Sequence, residues 1–138
     1  MTIVLKRGIK ELVAAAEAEI TTLTTDDAIK RHGDKNLIFV DIRDIRELER
    51  DGVIENAIHA PRGMIEFWFD PESPYHREVF GDEKKTYVLY CTSAWRSALA
   101  THALQSMGFS NVVQFSSGLN GWKKAGGPVI EYEKKISK

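Results

Sequence analysis

Two short apolar runs constrain the fold of this chain more than any other feature of its sequence. They are "NLIFVDIR" (residues 36–43) and "TYVLY" (residues 86–90), and both are rich in β-branched and aromatic residues. Short apolar runs of this kind are typical of strands that are buried on both faces. Helical patterns follow them at residues 44–52 and 94–108. The sequence therefore predicts parallel strands joined by helical crossovers, with helices on both faces of the sheet.

The same alternation of strand and helix continues along the rest of the chain. Further strands are predicted at residues 20–23, 57–61 and 111–115, and further helices at residues 7–19, 24–33, 63–69 and 118–126. The stretch 62–85 holds two prolines and is predicted to be mostly loop after its short helix. We therefore expect a three-layer α/β/α fold with a mostly parallel central sheet of about five strands.

The whole chain is predicted to form one unit. No linker, internal repeat or low-complexity segment interrupts the alternation. We assign residues 20–130 to the main domain and residues 1–19 to an N-terminal helix of the same unit. Residues 131–138 are expected to form a polar, frayed C-terminal tail.

Composition and charge exclude several classes of protein. Lys and Arg number 19 against 20 Asp and Glu, so the formal net charge of -1 argues against a nucleic-acid binder. No apolar run approaches the roughly 20 residues of a membrane span. The first twenty residues carry too many charges for a signal peptide, so we expect a cytoplasmic protein that contacts no membrane. A single cysteine also rules out an internal disulfide.

That single cysteine, Cys91, lies where a predicted strand meets a predicted helix, in "YVLYCTSAWRSALATHALQSMGF" (residues 87–109). Ligands of open parallel sheets bind beyond the carboxyl ends of the strands. Backbone amides and the dipole of a helix N-terminus favour a thiolate, which is the nucleophilic form. The alternative is a buried and inert thiol, the common state of free cysteine. The placement favours a functional cysteine, with Arg96 adding positive charge or bracing the loop.

The same segment resembles the active-site segment of the rhodanese family, in which a strand, a cysteine, four residues, an arginine and a helix follow one another. Residues 39–63, "FVDIRDIRELERDGVIENAIHAPRG", are similar to the upstream signature of that family. Residues 108–129, "GFSNVVQFSSGLNGWKKAGGPV", resemble its closing segment. The resemblance covers residues 20–130, and it implies a rhodanese-like fold. Asn56 departs from the pattern, because the family often has glycine at that position.

Membership of this family implies a sulfurtransferase. The Cys91 thiolate would take the outer sulfur of a donor such as thiosulfate and become a persulfide, and cyanide or a thiol would then remove that sulfur. The loop that would stabilise the anion comprises Thr92, Ser93, Ala94, Trp95, Arg96 and Ser97. No cofactor and no metal are expected. The acceptor must come from outside the chain, as a small molecule or a protein, and a monomer and a homodimer both remain open.

Two other functions compete with this interpretation. Cell-cycle tyrosine phosphatases share the fold, but five residues separate their cysteine and arginine, which makes room for a tetrahedral phosphate. Here only the four residues from Thr92 to Trp95 intervene, and this tighter loop suits a single sulfur atom. The second alternative is a rhodanese-like module that binds a partner or relays sulfur without catalysis. Such modules often lose the cysteine, whereas this chain keeps both Cys91 and Arg96.

Two further arginines are candidates for substrate binding. Arg43 and Arg62 each follow a predicted strand end, where they could border the pocket and attract an anionic donor. For Arg43 the favoured alternative is a surface ion pair with Glu47, one helical turn later. For Arg62 neither interpretation is preferred. Asp41 is expected to cap the following helix.

Two histidines and two tryptophans complete the set of residues considered. His59 and His102 lack the spacing and the companions of a metal site, so both are interpreted as structural. Trp95 is expected in the pocket wall because it lies inside the loop, and Trp122 is expected in the core.

Overall fold

The computed structural model describes residues 2–133. The predicted polar tail at residues 131–138 therefore lies largely outside the described residues. Six α-helices lie within the described part: α1 Ile9–Glu19, α2 Thr25–Lys30, α3 Ile45–Asp51, α4 Ile65–Phe69, α5 Trp95–Ser106 and α6 Gly118–Lys124. Seven strands lie there too: β1 Thr22–Leu23, β2 Leu37–Asp41, β3 Val53–Ile54, β4 Ile58–His59, β5 Thr86–Tyr90, β6 Val112–Phe115 and β7 Val129–Ile130.

Five of the strands form one sheet in the order β1-β6-β5-β2-β4, and all neighbours within it are parallel. The two apolar runs become adjacent central strands, with Phe39 opposite Val88. Helices cover both faces, which confirms the predicted α/β class and the five-stranded parallel sheet. Strands β3 and β7 form a separate antiparallel pair, residues 53–54 with residues 129–130, that the sequence interpretation did not predict.

The two faces of the sheet bury separate apolar clusters. On one face, Ile65 and Phe69 of α4 and Leu104 of α5 pack against β2 and β5. On the other face, Ala28 of α2 and Trp122 of α6 pack against the same strands. Trp122 has no exposed surface, in agreement with its prediction as a core residue.

Helix α3 begins with a capping box that involves an unexpected residue. The carboxylate of Asp44 accepts a hydrogen bond from the Arg46 amide, and the Glu47 carboxylate accepts one from the Asp44 amide. Such reciprocal bonds satisfy amides that a helix start leaves without partners. The prediction that Asp41 caps this helix is therefore wrong, because Asp41 lies inside β2 and its carboxylate binds Arg43 instead.

Helix α1 packs on the outer side of α5 rather than on the sheet. Val13 and Ala16 of α1 and Ala98 of α5 form a small buried cluster. The contact brings α1 next to the first half of the helix that follows Cys91. None of the helices within residues 2–133 combines the length and the apolar character that crossing a membrane requires.

We propose that α1 belongs to the same folding unit as residues 20–130, and a matched pair of substitutions tests this. Ala16 is 3% exposed, whereas Ala18 of the same helix is exposed. Ala16→Asp should lower the free energy of unfolding by at least about 2 kcal/mol, because it buries an unpaired carboxylate. Ala18→Asp should change it by less than about 0.5 kcal/mol. Urea unfolding measures both, and equal effects would contradict a shared unit.

Candidate active site

The site is built around the loop that joins β5 to α5. Cys91 directly follows the last residue of β5, and α5 begins at Trp95. Between them, Ala94 adopts a left-handed conformation with φ 72°. A left-handed residue with a Cβ costs roughly 1–2 kcal/mol, so contacts from elsewhere in the protein must hold the loop in this shape.

The first of these contacts comes from the start of α6. The Leu119 amide donates to the Cys91 carbonyl at 2.8 Å, and the Asn120 amide donates to the Thr92 carbonyl at 3.2 Å. Gly118 permits this approach, because a Cβ there would lie 2.6 Å from the carbonyl carbon and oxygen of Thr92. The carbonyl oxygens at the base of the loop are thereby fixed toward α6.

The second contact is an ion pair that ties the loop to α3. The Arg96 guanidinium donates to both carboxylate oxygens of Glu47, at 2.8 and 3.0 Å, and to the Thr92 hydroxyl at 3.2 Å. A bidentate pair of this kind fixes orientation as well as distance. The hydrogen bond from Arg96 holds the pKa of Glu47 at about 2, against an ordinary 4.5, although partial burial opposes this. The same hydrogen bond raises the pKa of Arg96.

Glu47 is a site residue that the sequence interpretation placed elsewhere. We expected it to pair with Arg43 on the surface, but it pairs with Arg96. The signal that could have found it is its place at the third position of α3, where the capping box turns its carboxylate toward the start of the helix.

Arg43 is buried, and the predicted surface pair with Glu47 is wrong. Its guanidinium donates to both oxygens of Asp41, at 3.0 and 2.7 Å, and to the Gly52 carbonyl at 2.7 Å. Helical spacing does not apply at Arg43, because α3 begins only at Ile45. In an extended chain the residue two positions away lies on the same side, which brings Asp41 to Arg43. Because its side chain has no exposed surface, Arg43 is not a substrate contact either.

Arg62 has a different environment from Arg43. It lies in a short 3-10 turn (Arg62–Met64), is about one-third exposed, and pairs with Glu66 at 3.3 Å. An exposed pair of this length contributes little to stability and leaves the guanidinium accessible. Arg62 therefore stays a candidate for attracting an anion.

The thiol itself is nearly covered. Cys91 is 1% exposed, and its Sγ lies 3.6 Å from the Ser97 hydroxyl. Trp95, in contrast, is 45% exposed. Neither histidine is bonded to Cys91 in the described part of the chain, since His59 bonds to the Arg43 carbonyl and His102 to Glu19.

The amides of the loop have no acceptor. Among the hydrogen bonds of residues 2–133, none uses as its donor the backbone amide of Thr92, Ser93, Ala94, Trp95, Arg96 or Ser97. Consecutive backbone amides that have no acceptor within the protein are suited to binding an anion. They follow directly after the only thiol of the chain.

A family model described as the rhodanese-like domain matches residues 24–125 of the chain. The chain belongs to the rhodanese-like family. The prediction from sequence motifs is thereby confirmed.

Several solved and curated proteins are similar to this rhodanese-like chain. A Rhodopseudomonas palustris protein of unknown function, named as a possible tyrosine phosphatase, is 45% identical over 94% of this chain and 99% of its own, with a TM-score of 0.90. The polysulfide-sulfur transferase homodimer of Wolinella succinogenes is 30% identical over 88% of this chain and 85% of its own, with a TM-score of 0.69.

A Schizosaccharomyces pombe protein provisionally named a mitochondrial thiosulfate sulfurtransferase is 28% identical over 65% of this chain. The match spans 66% of the length of that relative, and a match to a Synechocystis protein spans 27% of its length. The chain thus spans less than two thirds of these curated relatives.

The close approach at Gly118 gives a first prediction for the site. Gly118→Ala should destabilise the protein and slow alkylation of Cys91 by iodoacetamide, because the new Cβ collides with the backbone of Thr92. Gly126→Ala is the matched control, since Gly126 also has a positive φ but open space around its Cβ position. Both variants should lose about 1–2 kcal/mol for the left-handed conformation, and only Gly118→Ala should lose more. Equal losses would show that the contact with the loop is unimportant.

The Glu47–Arg96 pair predicts how the free energy of unfolding depends on pH. The pKa of Glu47 is lowered in the folded state, so the unfolded chain binds the proton first as the pH falls. The free energy of unfolding contributed by the pair is therefore complete above about pH 4.5 and is lost between 4.5 and about 2.

Glu47→Gln should remove this part of the acid dependence and cost about 1–2 kcal/mol at pH 7, discounted for the solvent exposure of Arg96. Urea unfolding at a series of pH values measures it. Glu49→Gln, an exposed position on the same helix, is the control. A wild-type acid profile in Glu47→Gln would contradict the assigned pair.

Proposed function

We propose that this protein is a sulfurtransferase that carries sulfur as a persulfide on Cys91. The observation that carries the proposal is the set of six backbone amides from Thr92 to Ser97, which have no acceptor and follow the thiol directly. Fixed donors of this kind stabilise negative charge without having to reorganise during a reaction. A thiolate and a persulfide are the two anions that the reaction would form at this place.

The first half-reaction forms the persulfide. The Cys91 thiolate attacks the outer sulfur of a donor such as thiosulfate, and a new S–S bond forms at Cys91. The bond within the donor breaks, and sulfite leaves with the electron pair. Cys91 now carries one extra sulfur, and the loop amides stabilise its negative charge by donating hydrogen bonds.

The second half-reaction removes that sulfur. Cyanide attacks the outer sulfur, the S–S bond at Cys91 breaks, and thiocyanate leaves while Cys91 returns to the thiolate. A thiol acceptor, small or on a protein, would take the sulfur as a new persulfide in the same way. Because the chain has no second cysteine, the acceptor comes from another molecule.

Arg96 braces the loop in this proposal. Its guanidinium is committed to Glu47 and Thr92, so most of its charge is already compensated. The attraction of an anionic donor therefore depends on the loop amides and on Arg62, whose only described partner is an exposed carboxylate. Trp95 is 45% exposed and four residues after Cys91, so its side chain is proposed to contact the acceptor.

A cysteine-dependent phosphatase is the second candidate, and the name of the Rhodopseudomonas palustris relative favours it. Against it stands the loop, in which four residues separate Cys91 and Arg96. In addition, the Arg96 side chain is tied to Glu47, whereas a phosphatase would use the charge of this arginine on the phosphate. The name of the Wolinella succinogenes relative agrees with sulfur transfer.

Replacement of the thiol separates these possibilities. Wild-type protein treated with thiosulfate should gain the mass of one sulfur atom, and cyanide should remove it, as measured by intact-mass spectrometry. Cys91→Ser should gain nothing, lose thiocyanate production by at least about a thousandfold, and keep its fold. Aryl phosphate hydrolysis should be absent from both.

Near wild-type turnover in a folded Cys91→Ser protein would refute the catalytic assignment. Hydrolysis of aryl phosphates that depends on Cys91 would favour the phosphatase. A wild-type protein that takes up no sulfur from thiosulfate or polysulfide would favour a binding module without catalysis.

A further inference from the structure

A chain of hydrogen bonds leads from the thiol through two buried side chains to the edge of the sheet. The Cys91 Sγ is 3.6 Å from the Ser97 Oγ, and the Ser97 hydroxyl donates to the Gln114 Oε1 at 2.7 Å. The Gln114 Nε2 in turn donates to the Thr22 hydroxyl at 3.2 Å. The chain therefore runs from the thiol to strand β1 at the edge of the sheet.

The middle of this chain is buried among apolar residues. Ser97 and Gln114 have no exposed surface, whereas Thr22 is exposed. The strand neighbours of Gln114, Val113 and Phe115, point into the apolar cluster on the opposite face of the sheet. A buried amide is costly unless its donors and acceptor are paired, so a polar side chain here calls for an explanation.

The hydrogen bonds of this series, as they are directed in the structure, are compatible only with a protonated Cys91 sulfur. The Ser97 hydroxyl has one proton, and it is donated to Gln114. The Ser97 oxygen can then only accept a hydrogen bond, so it suits the S–H of a neutral Cys91. A sulfur anion has no proton to give and would face this oxygen without a donor.

A half-turn of the Gln114 amide reverses the direction of every bond in the chain. The Nε2 would then donate to the Ser97 oxygen, and the Ser97 proton would be free to point at the sulfur. The Oε1 would accept from the Thr22 hydroxyl. The Ser97 and Thr22 hydroxyls and both ends of the amide each keep a hydrogen-bond partner in both orientations, because the two ends of an amide have nearly the same size and opposite hydrogen-bonding roles.

We propose that Gln114 is a positioning residue whose amide takes two orientations, one matched to the Cys91 thiol and one to its anion. Its action on the sulfur passes through Ser97. The part of the proposal that concerns the persulfide anion rests on the proposed sulfurtransferase function. The part that concerns the thiolate stands on the contacts alone.

Alkylation of Cys91 by iodoacetamide, followed over a range of pH, tests the proposal in the full chain. The midpoint of the rate profile reports how readily the sulfur ionises. Ser97→Ala should move the midpoint upward by about one pH unit, because the anion loses a hydrogen-bond donor. Ser106→Ala is the matched control on the same helix, since the Ser106 hydroxyl bonds only to the backbone of α5.

Two substitutions of Gln114 should move the midpoint in opposite directions. Gln114→Leu leaves the Ser97 proton without a competing acceptor, so the midpoint should fall by about half a pH unit. Gln114→Glu offers acceptors only and adds negative charge, so the midpoint should rise by about one pH unit or more. Gln105→Leu and Gln105→Glu are the controls, because Gln105 bonds to the Glu19 carbonyl on the surface.

Opposite shifts in the two Gln114 variants, with unshifted controls, would support the amide switch. A common direction, or midpoints equal to the wild type in folded variants, would overturn it. If Gln114→Glu does not fold, opposite shifts of Ser97→Ala and Gln114→Leu decide the question. Sulfur uptake by the wild type is measured separately, so failure of the sulfurtransferase proposal would leave the alkylation result intact.

Discussion

The buried pair of Asp41 and Arg43 is the interaction on which the rest of the site depends. The Arg43 guanidinium binds Asp41 at the end of β2 and the Gly52 carbonyl after α3, while its own carbonyl bonds to His59 of β4. One side chain thus fixes where α3 begins and ends relative to the central sheet. A buried pair is costly to break, because the remaining charge is left unpaired. The position of α3 is therefore well determined.

That position matters because α3 carries Glu47 to the loop that follows Cys91. The capping box orients the Glu47 carboxylate, and the carboxylate in turn holds Arg96 at the start of α5. From the other side, the amides of α6 hold the carbonyls of Cys91 and Thr92. The loop is thus held by contacts to the Arg96 side chain and to the carbonyls of Cys91 and Thr92. Its backbone amides remain available for an anion.

The sequence allowed the sheet and the placement of Cys91 to be predicted, because apolar runs and a strand–helix junction are local patterns. The pairing of β3 with β7 was missed because it joins residues 53–54 to residues 129–130, and no local pattern relates segments so far apart in the chain. The contact of Glu47 with Arg96 was missed because it joins residues far apart in the chain, while the local partner Arg43 seemed available by spacing alone. The backbone donors from α6 leave no side-chain signal except the glycine that makes room for them. Gln114 was overlooked because a single polar residue in an apolar strand does not by itself indicate a functional role.

The dependence of the loop on α6 has a consequence for biosynthesis. Strand β5 and Cys91 leave the ribosome before α6 does, so the newly made thiol precedes the amides that shape its loop. Until Leu119 and Asn120 arrive, the carbonyls of Cys91 and Thr92 lack their partners, and Ala94 has little to hold it in a left-handed conformation. The loop after Cys91 can therefore reach the geometry seen here only once residues 118–120 have joined the fold.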